Sequence, residues 1–331
     1  MNIFKRASAL NMLLILALQL MAQGPNNTGT YYQSADGKKG SALKTAMWGI
    51  IKDHNKLSYG DLWDAYGDTD LREDGSIWDM YSSTTHFTFR EDQGANYKKE
   101  GDVYNREHSM PKSWFNEEYP MYTDLVHVVP ADGYVNGMRS NLPFGETEKP
   151  SKTSNGGFSK VGPSSVSGYS GKVFEPNDEY KGDFARIYFY MATCYEDKIA
   201  GWHSPMLANN EYPAYTDWAI NMLLRWAAED PVSQKEIDRN NAVYGIQGNR
   251  NPFVDYPGLE EYIWGDKQDV AFSYDNYSTG IAVVVPTKEI SDVDVYTVTG
   301  VKVRSKVSKD KATEGLGKGI YIVEGKKYVV R

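Results

Sequence analysis

The residues best equipped for chemistry fall in two neighbouring segments of the chain. The first is Tyr-Asn-Arg-Glu-His-Ser-Met-Pro-Lys-Ser-Trp-Phe from Tyr104; the second runs from Asp124 to Gly145 through His127, Asp132, Asn136 and Arg139. Between them they supply a carboxylate at Glu107, two histidines, several asparagines and two arginines. Phosphodiester hydrolysis asks for such a set. A base must deprotonate water, a divalent cation must stabilise the charged transition state and leaving oxygen, and cations must hold the phosphate.

Adjacent residues of a regular strand point to opposite faces, so Glu107 and His108 can share a site only where the strand ends or distorts. Pro111 fits an exit from the strand at that point. The second segment reads as a strand from Leu125 to Val129, a turn at Pro130, and a helix beginning near Gly133 with Asp132 as its cap. Asn136 and Arg139 then share a helix face at i, i+3. Strand, loop, strand and helix in this order bring Asn136 back beside Glu107 and His108.

Around this unit the pattern is helical. Ser41–His54 carries Leu43, Met47, Ile50 and Ile51 on one face. Further helices are expected over residues 59–66, 181–196, 217–228 (ended by Asp230-Pro231) and from Ser233, with Glu236 as its capping-box partner, to about Tyr244. Glu146–Ser170 reads as a long surface loop. After about Tyr274 short β-type runs take over: Ile281–Pro286, Val293–Thr299, Val301–Val303, Ile320–Val323 and Tyr328–Val330. The fold class is therefore α+β, a mainly helical domain over residues 23–275 followed by a small β-sandwich over residues 276–331.

Residues 1–22 read as an export signal: Lys5 and Arg6, an apolar stretch from Ala9 to Met21, and a small-residue cleavage point. No later segment is apolar enough to span a bilayer, and a soluble monomer outside the cytoplasm is expected. A single cysteine, Cys194, permits no intramolecular disulfide and is expected as a small buried residue. Charge opposes a polyanionic substrate. Loss of Lys5 and Arg6 moves the net charge from −8 to −10. From Asn276 onward ten Lys/Arg stand against six Asp/Glu, a local +4, which leaves −14 on residues 23–275. A domain this acidic repels a phosphate backbone at long range, so a nucleic-acid substrate requires a local cationic site. The 25 Tyr and 8 Trp suit either an aromatic core or stacking on sugars and bases.

The two segments resemble the bacterial endonuclease I family, whose core is the His-Me finger or ββα-metal fold. Four blocks carry the likeness in order: Asn105–Trp114, Asp124–Phe144, Val173–Met191 and Asp230–Pro257, the last holding Gln247-Gly-Asn-Arg-Asn-Pro-Phe253. The resemblance implies that His108 is the general base and that Glu107 and Asn136 are ligands of one hard cation, Mg²⁺ with Mn²⁺ or Ca²⁺ as alternatives. It also implies a secreted endonuclease that cleaves DNA, and RNA as well, with little base specificity and leaves 5′ phosphates. The family's second block often has His and Asn where Val126 and His127 stand here. Arg139 and Arg186 are the substitutes for a phosphate-binding arginine that some members carry in a longer loop. His127 is expected to make a structural hydrogen bond, Asp124 to orient a neighbour, His54, His86 and His203 to be structural or exposed, and Asn141, Asn249 and Asn251 to stabilise turns. The tail, through Val295–Val303 and Gly319–Arg331, resembles the sorting domains of type IX secretion. A rival reading is an inactive or repurposed secreted module that binds glycans through its aromatic surface.

Overall fold

The computed structural model describes residues 24–277, 292–297, 302–308, 311–317, 319–323 and 326–330. The expected export signal and the run Ile281–Pro286 lie outside them. Two compact units divide between Tyr277 and Ser278.

The first unit is built around one helix. Lys181–Cys194 is buried along its whole length, and the apolar faces of Gly40–Ile51 and Asp217–Glu229 pack against it. These are α4, α1 and α5. The polar members of α4 are tolerated there because each finds a partner. Asp183 meets Lys235 at 2.8 Å, and Thr193 donates back to the Phe189 carbonyl at 2.8 Å. Gln234–Gln247 (α6) begins on the expected capping box, with Ser233 and Glu236 exchanging hydrogen bonds, and ends on Gly248 in the left-handed region at φ 84°. Asp61–Thr69 (α2), Gly133–Arg139 (α3), Pro252–Asp255 (α7) and Leu259–Ile263 (α8) complete the helices.

Two small antiparallel sheets interrupt the helices. Tyr104–His108 (β1) pairs with Val128–Asp132 (β2), with Glu107 opposite Val129 and His108 opposite Val128. The second strand therefore lies three residues later than the apolar run Leu125–Val129 suggests, and Pro130 is inside it rather than in a turn. A proline is accommodated because bonds from Gly133 N to Val103 O and from Ser109 N to His127 O set the hydrogen-bonded pairs. Pro130, opposite Arg106, falls between them, where its missing N–H is not needed. Lys152–Thr153 (β3), Lys160–Pro163 (β4) and Lys172–Glu175 (β5) form the other sheet. The expected loop 146–170 thus contains two strands, whose polar residues hide the β pattern.

The C-terminal unit has four described strands, Asp292–Thr297 (β6), Lys302–Ser308 (β7), Gly319–Val323 (β8) and Lys326–Val330 (β9), in the order β7-β6-β8-β9. Val295, Ala312 and Val323 form a buried apolar cluster among its described residues. The described residues make one sheet, and a facing sheet of the expected sandwich is not among them. No helix of the described residues is long and apolar enough to cross a membrane.

Candidate active site

The carboxylate of Asp132 accepts from Val135 N at 2.9 Å and from Gly101 N at 2.6 Å, which caps α3 and ties its start to the loop before β1. The helix then lies across the face of β1 that carries Asn105 and Glu107. Asn136 Nδ2 donates to Asn105 Oδ1 at 2.7 Å. One turn later, the Arg139 guanidinium bonds Glu107 Oε1, the His108 carbonyl at 2.7 Å and the Ser109 carbonyl at 2.6 Å.

The other face of β1 is aromatic. The His108 ring stacks on Tyr122 at 5.1 Å, Tyr122 stacks on Tyr59 at 4.6 Å, and the Arg106 guanidinium covers Tyr59 at 3.5 Å. A pocket of about 320 Å³ wraps the strand's edge, lined from one face by Glu107 and Asn136, from the other by Tyr59, Arg106 and His108, and rimmed by Lys112, Glu117 and Asn141. Adjacent residues reach one pocket because His108 is the last residue of β1, where the strand ends.

Each candidate side chain is held in a defined state. His108 Nε2 lies 3.0 Å from the Tyr122 carbonyl. A carbonyl can only accept, so Nε2 carries the proton and Nδ1 keeps its lone pair. Burial, aided by the charge of His127, pushes the His108 pKa down to about 3, so the ring is neutral at neutral pH. For Glu107, burial raises the carboxyl pKa against the pull of Arg139 and Tyr81. The bonds from Tyr81, at 2.8 Å, and Arg139 both land on Oε1. Asn136 spends its amide N–H on Asn105, which leaves Oδ1 as the free acceptor. A carboxylate oxygen and an amide oxygen on one pocket wall suit a hard divalent cation.

Two expected site residues are elsewhere. Arg139 is fully buried against Glu107 and is not among the residues lining the pocket. Arg186 lies inside the domain, paired with Glu236 at 2.5 and 2.9 Å and with the Asp230 carbonyl at 2.8 Å. The cations that do line the pocket are Arg106 and Lys112. Arg106 stands two residues before His108, and strand alternation alone would have placed both on one face.

Three further polar residues are tied to the protein's own backbone. His127 is buried with Nε2 2.6 Å from the Met121 carbonyl. Asn249 bonds the Ile51 carbonyl and Tyr190, and Asn251 caps α7. His54, Asp124 and Cys194 bring ligand atoms within 4.8 Å of one another, close enough to hold an ion. Asp124, however, already accepts from Val126 N, Gln247, Tyr190 and Tyr195. Burial also raises the Cys194 thiol well above its usual range. We read this cluster as a closed hydrogen-bond network.

A two-stranded ribbon and helix around a polar pocket, set in a helical domain, define an α+β enzyme core. The chain belongs to the endonuclease I family, whose sequence model matches residues 39–258, and it is a nuclease. It is 36% identical to an extracellular ribonuclease of Bacillus amyloliquefaciens over 72% of this chain and 79% of the relative. Identity to an extracellular ribonuclease of Bacillus subtilis (strain 168) is 35%, over 76% and 83%. An extracellular deoxyribonuclease of Aeromonas hydrophila is 28% identical over 41% of this chain and 50% of its own length.

Proposed function

We propose that the chain is a secreted, metal-dependent endonuclease that hydrolyses phosphodiester bonds of DNA and RNA with little base specificity and leaves 5′ phosphates. The observation that carries this reading is the 3.0 Å contact of His108 Nε2 with the Tyr122 carbonyl, which leaves Nδ1 as the basic nitrogen of a residue that lines one pocket with Glu107 and Asn136. In this reading His108 Nδ1 takes the proton from the attacking water. Glu107 and Asn136 hold the cation, Mg²⁺ by preference, which when bound supplies positive charge to the phosphate and the leaving oxygen. Arg106 replaces Arg139 and Arg186 as the arginine that holds the phosphate. Relatives named ribonuclease and deoxyribonuclease support both substrates, and their extracellular names support export.

Plasmid nicking and RNA cleavage, each with and without EDTA, test the reading. His108→Ala is expected to lower kcat by about 10²–10⁴-fold with the fold intact. Unchanged cleavage in that variant removes the assignment of the base, and a protein that binds glycans while leaving both nucleic acids whole overturns the function. We assign the C-terminal unit to sorting by a type IX route. Deleting residues 276–331 is then expected to stop release from cells without loss of nuclease activity in lysates, and normal release of the shortened chain would sink that assignment.

A further inference from the structure

A second hollow, of about 590 Å³, is lined by Lys52, Lys56, Asp53 and Tyr119 among others. Tyr119 is 47% exposed, the largest value among the exposed bulky apolar side chains of the described residues. One exposed tyrosine alone means little. Two further observations set this one apart. Its ring packs edge-on against Tyr122 at 5.4 Å, and Tyr122 stacks on His108, so a single ring separates Tyr119 from the candidate base. Cations flank it: Lys56 Nζ lies over the ring, 5.1 Å from its centroid, where a base can take its place, Lys52 lines the same hollow with its Nζ over Trp48, and Asp53 is the one carboxylate among the described residues lining it.

We propose that Tyr119, with Lys52 and Lys56, forms a subsite for an unstacked base and its flanking phosphates in single-stranded nucleic acid. The proposal rests on the nuclease reading and deepens it by naming the form of substrate selected. A ring offers its face only to a base whose own face is free, and in a duplex both faces are covered by neighbouring bases. In an acidic domain the two ammoniums add to the attraction for phosphate that Arg106 and Lys112 supply. A strand lying across Tyr119 would enter the pocket past Tyr122 with its backbone between Lys112 and Arg106.

The test is fluorescence anisotropy of the full chain in EDTA with a labelled oligouridylate of about twelve nucleotides, an oligothymidylate of that length and the matching duplex. Tyr119→Ala is expected to weaken both single strands by about tenfold and the duplex far less, and Tyr119→Trp to restore them. Lys52→Gln with Lys56→Gln is expected to flatten the slope of log affinity against log salt by about 1.4, which keeps the test valid if Tyr119→Ala folds poorly. Single-strand affinity and salt slope both unchanged, or equal losses for single strand and duplex, overturn the proposal. Parallel cleavage assays with Mg²⁺ separate the two ideas. A parent protein that cleaves, with variants that bind like it, removes only the subsite; a parent that neither binds nor cleaves removes both.

Discussion

Arg139 reaches four oxygens with two nitrogens: the Glu107 carboxylate, the carbonyls of His108 and Ser109, and the Tyr188 hydroxyl. A planar fork can do this, and a lysine cannot. The guanidinium thereby closes the end of β1 and fixes which oxygen of Glu107 is left for a cation. Truncating it leaves a buried carboxylate without its counter-charge, a loss of roughly 3–5 kcal/mol. Arg139→Met is therefore expected to lower the urea midpoint sharply and to abolish cleavage with it. Arg106→Ala should behave differently. That side chain is half-buried against Tyr59 and Trp63, so stability should fall by about 1 kcal/mol, while kcat/KM falls by roughly 10–100-fold through a lost charged contact. Equal stability losses in the two variants would show that Arg106 is another brace and that the phosphate is held by something else.

The helix that carries Asn136 is only two turns long, and its cap sets where it begins. Asp132→Ala removes bonds to Val135 and Gly101, at about 1–2 kcal/mol. Because Asn136 is the fourth residue after the cap, Mg²⁺ affinity in the variant, read as the metal dependence of cleavage, is expected to weaken by more than the stability loss suggests. Unchanged metal dependence would detach Asn136 from the cation. The cap itself is legible in the sequence, since Asp followed by Gly-Tyr-Val-Asn is an ordinary helix start. So are the long amphipathic helices and the capping box at Ser233. The register of β2 is not. Leu125, Val126, Val128 and Val129 look like a strand, but Leu125 N is taken by Gln247, from 122 residues away, and the turn beginning at Asp124 holds His127 N and Val128 N. Tertiary partners decide that boundary. They also decide the fate of Arg139 and Arg186, because a sequence shows that an arginine is present and not which carboxylate it will meet. Arg106 is within reach of simple alternation, which puts it on the His108 face.

Across the first unit, buried cations are consumed internally: Arg186 by Glu236, Arg239 by Asp70, Arg250 by Asp255, Lys44 by Glu196 and Lys235 by Asp183. Each pair removes one charge of either sign, so the net acidity of the domain is left on its outside, which makes a bound dication and the lysines near the pocket matter to a polyanion. The same burial creates a pH dependence at Glu260, on α8. Its Oε2 is buried without a hydrogen-bond partner in the structure, and burial raises its pKa to about 7, opposed by Arg186. The folded state therefore holds the Glu260 proton more tightly than the unfolded chain does. Stability from this group is complete below the ordinary carboxyl range and is lost as pH rises through about 7. Glu260→Gln mimics the protonated form at every pH. Urea unfolding should find the variant more stable than the parent by roughly 2–4 kcal/mol at pH 8, shrinking to about 1 kcal/mol or less at pH 5. A difference that stays constant between the two pH values would mean that Glu260 does not titrate in this range, and that its charge is met by a partner such as ordered water.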